Sequence, residues 1–250
     1  MNIPLILAFL FFAGALLGYI LEFFFRNLIS HSGPRGKYFI NPGFCKGPYL
    51  PIYGVGLTTM FCITYTVDAY LDNPPAIVII IGITIAMTLI EFVGGVFLLK
   101  VMNMRLWDYR KRWGNVMGVI CPLFSFFWGA IGAVYYLVIH PIAIDGIVWL
   151  TNNLAFSFFI GLFYGVFLID NYVSTMEAID IKHFGDVHGI VVKYEELKDL
   201  LAQKRIEAEK KLPFFNQVKI ENMSLKDTLA KYSEILENKA EVFQNLRHKK

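Results

Sequence analysis

The chain has 250 residues, 56% hydrophobic and only 17% charged, with a mean hydropathy of +0.52 and a formal net charge of +3. A soluble domain is nearer a quarter charged, so the composition excludes an ordinary water-soluble enzyme and predicts several membrane spans with a modest soluble part. The small net charge gives no reason to expect a nucleic-acid partner, and Cys45, Cys62 and Cys121 have neither disulfide-framework nor zinc spacing.

A bilayer crossing needs about 20 apolar residues at about 1.5 Å rise each. Residues 3–25, 51–71, 76–99, 116–139 and 147–169 meet that need, which predicts an all-α membrane protein of five transmembrane helices. The first stretch has no basic segment before it and exceeds a leader's apolar core, so it reads as a span and not as a cleaved signal. Gly14, Gly18 and Glu22 lie four apart on one of its faces, with Arg26 next on the same stripe. Small residues at that spacing let helices approach closely, which turns Glu22 toward protein. An i,i+4 pair of Glu22 with Arg26 is the simpler reading of the same residues.

Between the first two spans lies NPGFCKGPYLPIYG, residues 41–54, with three prolines, three glycines and three aromatics. Pro51 suits the first turn of a helix. The rest is a surface turn or a partly re-entrant lid, since irregular backbone at membrane depth survives only against protein or water. On the third span Thr84, Thr88, Glu91 and Gly95 form a polar, small stripe. Glu91 sits nine residues before Lys100, roughly 13 Å from that end. A carboxylate there costs about 2.5–3.5 kcal/mol on insertion scales, so either a function or a buried structural pairing retains it. RLWDYRKRWGN, residues 105–115, follows, with Asp108 among basic residues and flanked by Trp107 and Tyr109. It reads as an interfacial aromatic belt or as a binding rim for an anionic group.

The fourth span carries Gly118, Cys121, Ser125, Gly129 and Gly132 on one face, and the fifth carries Ser157, Gly161 and Gly165; both read as packing faces first. Asp170 reads as a solvated terminal charge. His183 and His188 read as a polar exit linker and not as metal ligands. Glu-Phe pairs in the first and third spans, each leading into a basic, aromatic loop, suggest a parallel two-helix repeat.

Lys and Arg alternate between the connections. The first holds Arg26, Arg35, Lys37 and Lys46; the third holds Lys100, Arg105, Arg110, Lys111 and Arg112; the second and fourth, around residues 72–75 and 140–146, hold none. This puts the N-terminus outside and the C-terminus in the cytoplasm. It divides the chain into a transmembrane domain, residues 1–179, and a cytoplasmic tail, residues 180–250. In the tail, Ile190, Tyr194, Leu197, Leu201, Lys204 and Ala208 follow heptad spacing, as do Leu225, Leu229, Tyr232, Leu236, Lys239, Phe243 and Leu246. With Pro213 between the runs and Ser224 and Asp227 as a cap, the tail reads as a helical hairpin, packed on itself or offered over residues 190–246 to a cytoplasmic partner or to a second copy.

No GxxxxGK[ST] loop, HExxH or GxSxG motif occurs, so the chain carries no such nucleotide-binding, zinc-hydrolase or serine-hydrolase signature. Nothing in it calls for a cofactor or a metal, and no catalytic residue is assigned.

Gly18-Tyr19 with Glu22, then Asn41, Gly43-Phe44, Gly47-Pro48-Tyr49, Pro51-Ile52-Tyr53-Gly54, Glu91, Trp107-Asp108-Tyr109, Asn115, Gly118, Ile120-Cys121, Ser125 and Trp128-Gly129 follow one another in an order that resembles a known bacterial family. It is the membrane family labelled putative ABC-transporter permease type IV, or CmpB-like, and the resemblance covers roughly residues 15–141. The family's usual arginine is replaced by Pro42, Leu50 stands where cysteine often does, and Pro122 replaces a leucine. The resemblance implies a multi-pass plasma-membrane protein that transports a solute with a separate ATPase subunit. Its candidate polar path is Glu22, Glu91, Asp108, Asn41, Tyr49, Tyr53, Trp107, Tyr109, Asn115 and Ser125, with residues 41–54 as a lid. A membrane scaffold recruiting a partner through its tail, and an intramembrane enzyme acting on a lipid, are the alternatives.

Overall fold

The computed structural model describes residues 2–25, 41, 43–72, 74–209, 225 and 228–236. Helices α1 (Ile3–Phe25), α2 (Pro51–Tyr70) and α3 (Ala76–Lys100) lie where the apolar runs place them. Pro51 opens α2 and Pro122 opens α4 (Pro122–Val134), in first-turn positions where the missing N–H leaves no bond unmade. Pro122 therefore starts a helix and does not kink one.

The fourth and fifth spans are bounded differently from the sequence expectation. α4 continues through one π turn (Tyr135–Ile139) into α5 (His140–Asn152). The expected loop at residues 140–146 is thus helical. The π turn closes with the His140 N–H on the Tyr135 carbonyl, one residue before Pro141, so the ladder is rearranged where proline must interrupt it. The break falls at Asn153, whose backbone N–H reaches Leu150 O at 3.1 Å and whose side chain reaches Trp149 O at 2.8 Å. A short 3₁₀ turn (Leu154–Phe156) then leads into α6 (Ser157–His188). Residues 147–152 accordingly belong to α5 and not to the last span.

Among the described residues four helices are long and apolar enough to cross a membrane: Ile3–Phe25, Ala76–Lys100, Pro122–Asn152 and Leu154–His188. α2 is 20 residues long, but Thr58, Thr59, Thr64, Thr66 and Asp68 keep it less apolar than those four.

The described residues form two compact units. The first contains α1, Asn41–Phe97 and Asp108–Met176. In it α1 packs closely on α2, because a Cβ on Gly14 would lie 2.7 Å from Leu57 Cβ and one on Gly54 would lie 2.8 Å from Phe11 O. α3 buries Ile79, Ile83, Met87, Glu91 and Gly95, every fourth residue, and the first three pack with Met60 and Tyr135. α4 comes close enough to α3 that a Cβ on Gly132 would lie 2.8 Å from Ile83 Cγ2.

The second unit contains Leu98–Trp107 and the described residues after Met176. Two short strands, β1 (Met104–Arg105) and β2 (Val192–Lys193), pair in parallel there, an element the helical pattern did not predict. Met104, Val192, Leu197, Leu229 and Tyr232 are buried, and the Lys193 N–H donates to the Tyr232 hydroxyl at 3.2 Å. α7 (Tyr194–Glu209) and residues 228–236 are helical. The hairpin turn with Pro213, the Ser224–Asp227 cap and the Lys239–Leu246 part of the stripe lie outside the described residues.

Candidate functional site

Five elements of the first unit converge on a chain of polar and aromatic side chains. On α1, Gly18 leaves a gap that a Cβ would close onto Tyr53, and through that gap the Tyr53 hydroxyl reaches Glu22 Oε2 at 3.0 Å. The Tyr53 ring lies 6.1 Å from Trp128 of α4. The Trp128 indole N–H donates to Glu91 Oε2 at 3.0 Å, and the Tyr109 hydroxyl donates to Glu91 Oε1 at 2.9 Å. Tyr109 is stacked on Phe124 at 4.3 Å. Glu91 is only 5% exposed, and among the described residues no basic side chain pairs with it. Two neutral donors, one on each oxygen, hold this carboxylate. Burial, and then the Glu91 carboxylate, push the Tyr109 phenol far above its ordinary range, so it stays a donor at any working pH.

The other sequence candidates go elsewhere. Asp108 is gripped by Arg110, whose Nε lies 2.8 and 3.0 Å from its two oxygens. That bond, with the Asp108 charge, raises the Arg110 guanidinium further. Asn115 is a loop fastener: its amide reaches Arg112 O at 2.8 Å and its oxygen accepts from the Gly118 N–H at 3.0 Å. Ser125 is half-buried on α4, three residues before Trp128, and Trp107 belongs to the second unit.

The segment 43–50 docks on α1 and α6. Asn41 gathers it, donating to Lys46 O at 2.8 Å and accepting from the Gly43 N–H at 2.8 Å. The Leu50 N–H donates to Ala15 O at 2.9 Å. Tyr49 is buried against Phe163 and Phe167 and donates to Asp170. Asp170 is therefore not the solvated terminal charge its position suggests. It accepts the Lys46 N–H at 3.0 Å, the Gly47 N–H at 2.8 Å and the Ser174 hydroxyl at 3.2 Å as well. Burial and this carboxylate push the Tyr49 phenol well up. Tyr49 and Tyr53, four residues apart in one motif, thus serve two different carboxylates.

A second polar group forms where α2, the π turn and α5 meet. His140 is buried, with Nδ1 2.9 Å from the Tyr135 hydroxyl and Nε2 3.9 Å from Asp68. No periodic pattern marks it, because a lone histidine before proline reads as a loop. Trp128 was visible only as part of the family motif. Asp170 carried no signal of this role, since the two backbone N–H groups and the Tyr49 hydroxyl that it gathers lie more than 120 positions away.

The family described as putative ABC-transporter type IV matches residues 9–175. The chain belongs to this family. The match to this ABC-transporter-type family takes in α1 through most of α6, and with it both glutamates, the Asn41–Gly54 motif and the 105–115 loop. It extends past the expected 15–141 at both ends, and on the C-terminal side it takes in Asp170. No curated protein and no solved structure matches the chain. Together with four apolar helices, membership makes this a membrane protein of a transporter-type family.

Proposed function

We propose that this chain is the permease-like subunit of a plasma-membrane transporter, with five spans including α2, its N-terminus outside and its tail cytoplasmic. It works with a separate ATPase subunit docked on the cytoplasmic loops and on the tail, residues 180–250, which we treat as a domain distinct from 1–179. The observation that carries the reading is the convergence of Glu22 and Glu91, from different helices, on one chain of Tyr53, Trp128 and Tyr109. Intramembrane carboxylates facing protein mark solute or ion paths. The arrangement along the helices supports it: the Glu22–Glu91 group at one end, the Asp68–His140–Tyr135 group at the other, and Met60, Ile79, Ile83 and Met87 as an apolar seal between. Glu91, with both oxygens engaged, is the closed state of such a path. A solute passes by replacing Tyr109 or Trp128 as its partner. Asn41, Tyr49 and Asn115 hold the loops that frame the path, while Asp108 lies at its rim and Ser125 lines α4.

A second reading rests on the tail. β2 and Tyr232 build the tail into a packed unit with residues 98–107, which suits a regulator that recruits a cytoplasmic partner or a second copy of itself. The lipid-enzyme alternative required Asp108 to join both glutamates, and Arg110 holds it instead.

Full-length protein purified from its host in mild detergent is expected to carry an ATPase subunit in fixed stoichiometry. Its ATP hydrolysis should fall roughly ten-fold in Glu91→Gln, the size of a typical coupling effect. Purification with no ATPase sinks the permease reading. Hydrolysis indifferent to Glu91 keeps the partner and removes the path.

A further inference from the structure

Residues 109–120 form a fastened knuckle directly before the membrane helix that begins at Pro122. The Tyr109 N–H bonds Gly118 O at 2.9 Å, the Arg112 N–H bonds Tyr109 O at 2.8 Å, and the Val116 N–H bonds Ile120 O at 2.9 Å. Asn115 ties its centre as described, and Gly114, Met117 and Gly118 take positive φ values of 65°, 55° and 68°. A Cβ on Gly114 would lie 2.9 Å from Pro122 Cγ, so the turn is seated on the first residue of α4.

This backbone holds out an unusual set of side chains. Trp113 is 87% exposed, Val116 48% and Met117 41%. Lys111 and Arg112 are exposed and, among the described residues, neither forms an ion pair, in contrast to Arg110. Exposed indole and aliphatic groups beside two exposed cations, fixed at the mouth of a membrane helix, would be costly in water. They match the interface, where tryptophan sits at headgroup level and basic residues meet lipid phosphate.

We infer that this knuckle is a docking site for anionic phospholipid in the adjoining leaflet: Lys111 and Arg112 hold the headgroup phosphate while Trp113 and Met117 enter the acyl boundary. A protein partner would be the other occupant, but the position against Pro122 and the mix of exposed indole with exposed cations favour lipid. The inference needs only that α4 crosses a bilayer, and it stands whether or not the chain transports anything.

The test uses full-length protein in vesicles of phosphatidylcholine alone or mixed with phosphatidylglycerol. The fluorescence difference between wild type and Trp113→Phe isolates the Trp113 signal. That signal is expected to shift blue and to be quenched by shallow-brominated lipid, more strongly with phosphatidylglycerol present. Lys111→Gln with Arg112→Gln is expected to lower the preference for co-purified phosphatidylglycerol over phosphatidylcholine about five-fold for each charge removed. A Trp113 that stays water-like in both vesicles, as a contact reserved for protein would leave it, overturns the proposal. So does a lipid preference that the double variant leaves intact.

Discussion

Glu91 shows how a membrane protein keeps a carboxylate with, among the described residues, no cation paired to it. Each oxygen accepts from one neutral donor, and each donor comes from a different element, Trp128 on α4 and Tyr109 before it. Removing one donor strands a buried acceptor, which costs about 1–3 kcal/mol, whereas a simple loss of aromatic area does not apply to phenylalanine at an indole site in the same way. Trp128→Phe is therefore expected to lower unfolding stability by about 1–3 kcal/mol. The measurement is the midpoint of detergent-induced unfolding in mixed micelles. An unchanged midpoint would show that the indole bond contributes nothing. Asp170 makes the converse point: it organises residues 43–49 through two backbone N–H groups and Tyr49, and no local pattern in its own helix announces that role.

Among the elements, α1 and α2 form the closest pair, and glycine sets how close. Gly18 faces Tyr53, while Gly94 and Gly161 have open space where a Cβ would stand. Gly18→Leu is expected to push the helices apart, break the Tyr53–Glu22 bond and destabilise by about 1–3 kcal/mol, as overpacking does. Gly94→Ala should be neutral or slightly stabilising, because alanine favours the helix and meets nothing. Thermal unfolding of the two variants side by side checks this, and equal losses would contradict the packing. α4 and α5 carry a different lesson. The apolar runs left a connection at residues 140–146, and Pro141 within it would end most helices. The π turn before it absorbs the defect, and the chain breaks instead at Asn153, where the side chain caps α5.

For the whole molecule, the proposed topology assigns each connection to one side of the membrane. The proposed orientation requires α3 to separate Asp72 from Lys100, both exposed. Cys62, the exposed native cysteine among the described residues, is first replaced by serine. Asp72→Cys is then expected to react with an impermeant maleimide on intact cells, and Lys100→Cys only after permeabilisation. The reverse result inverts the topology, and labelling of both from one side rules out a crossing by α3.

A helical membrane protein of a transporter-type family is legible in the linear chain alone. Apolar runs of bilayer length, segregated charge and an ordered set of motifs are properties of the linear chain, and they need no partner to be read. The sequence also marked Glu22, Glu91, Tyr49 and Tyr53 as residues out of place in lipid. What each of them touches is set by the folded structure. It sent Tyr49 to Asp170 and Tyr53 to Glu22, brought Trp128 and Tyr109 to Glu91, left Asp108 with Arg110 and drew His140 into a core. It also built β1 against β2 in a chain whose pattern is helical. The reason is physical: burial in lipid is written in composition, but a hydrogen bond joins donors and acceptors far apart in sequence, and helix packing alone selects the pairs.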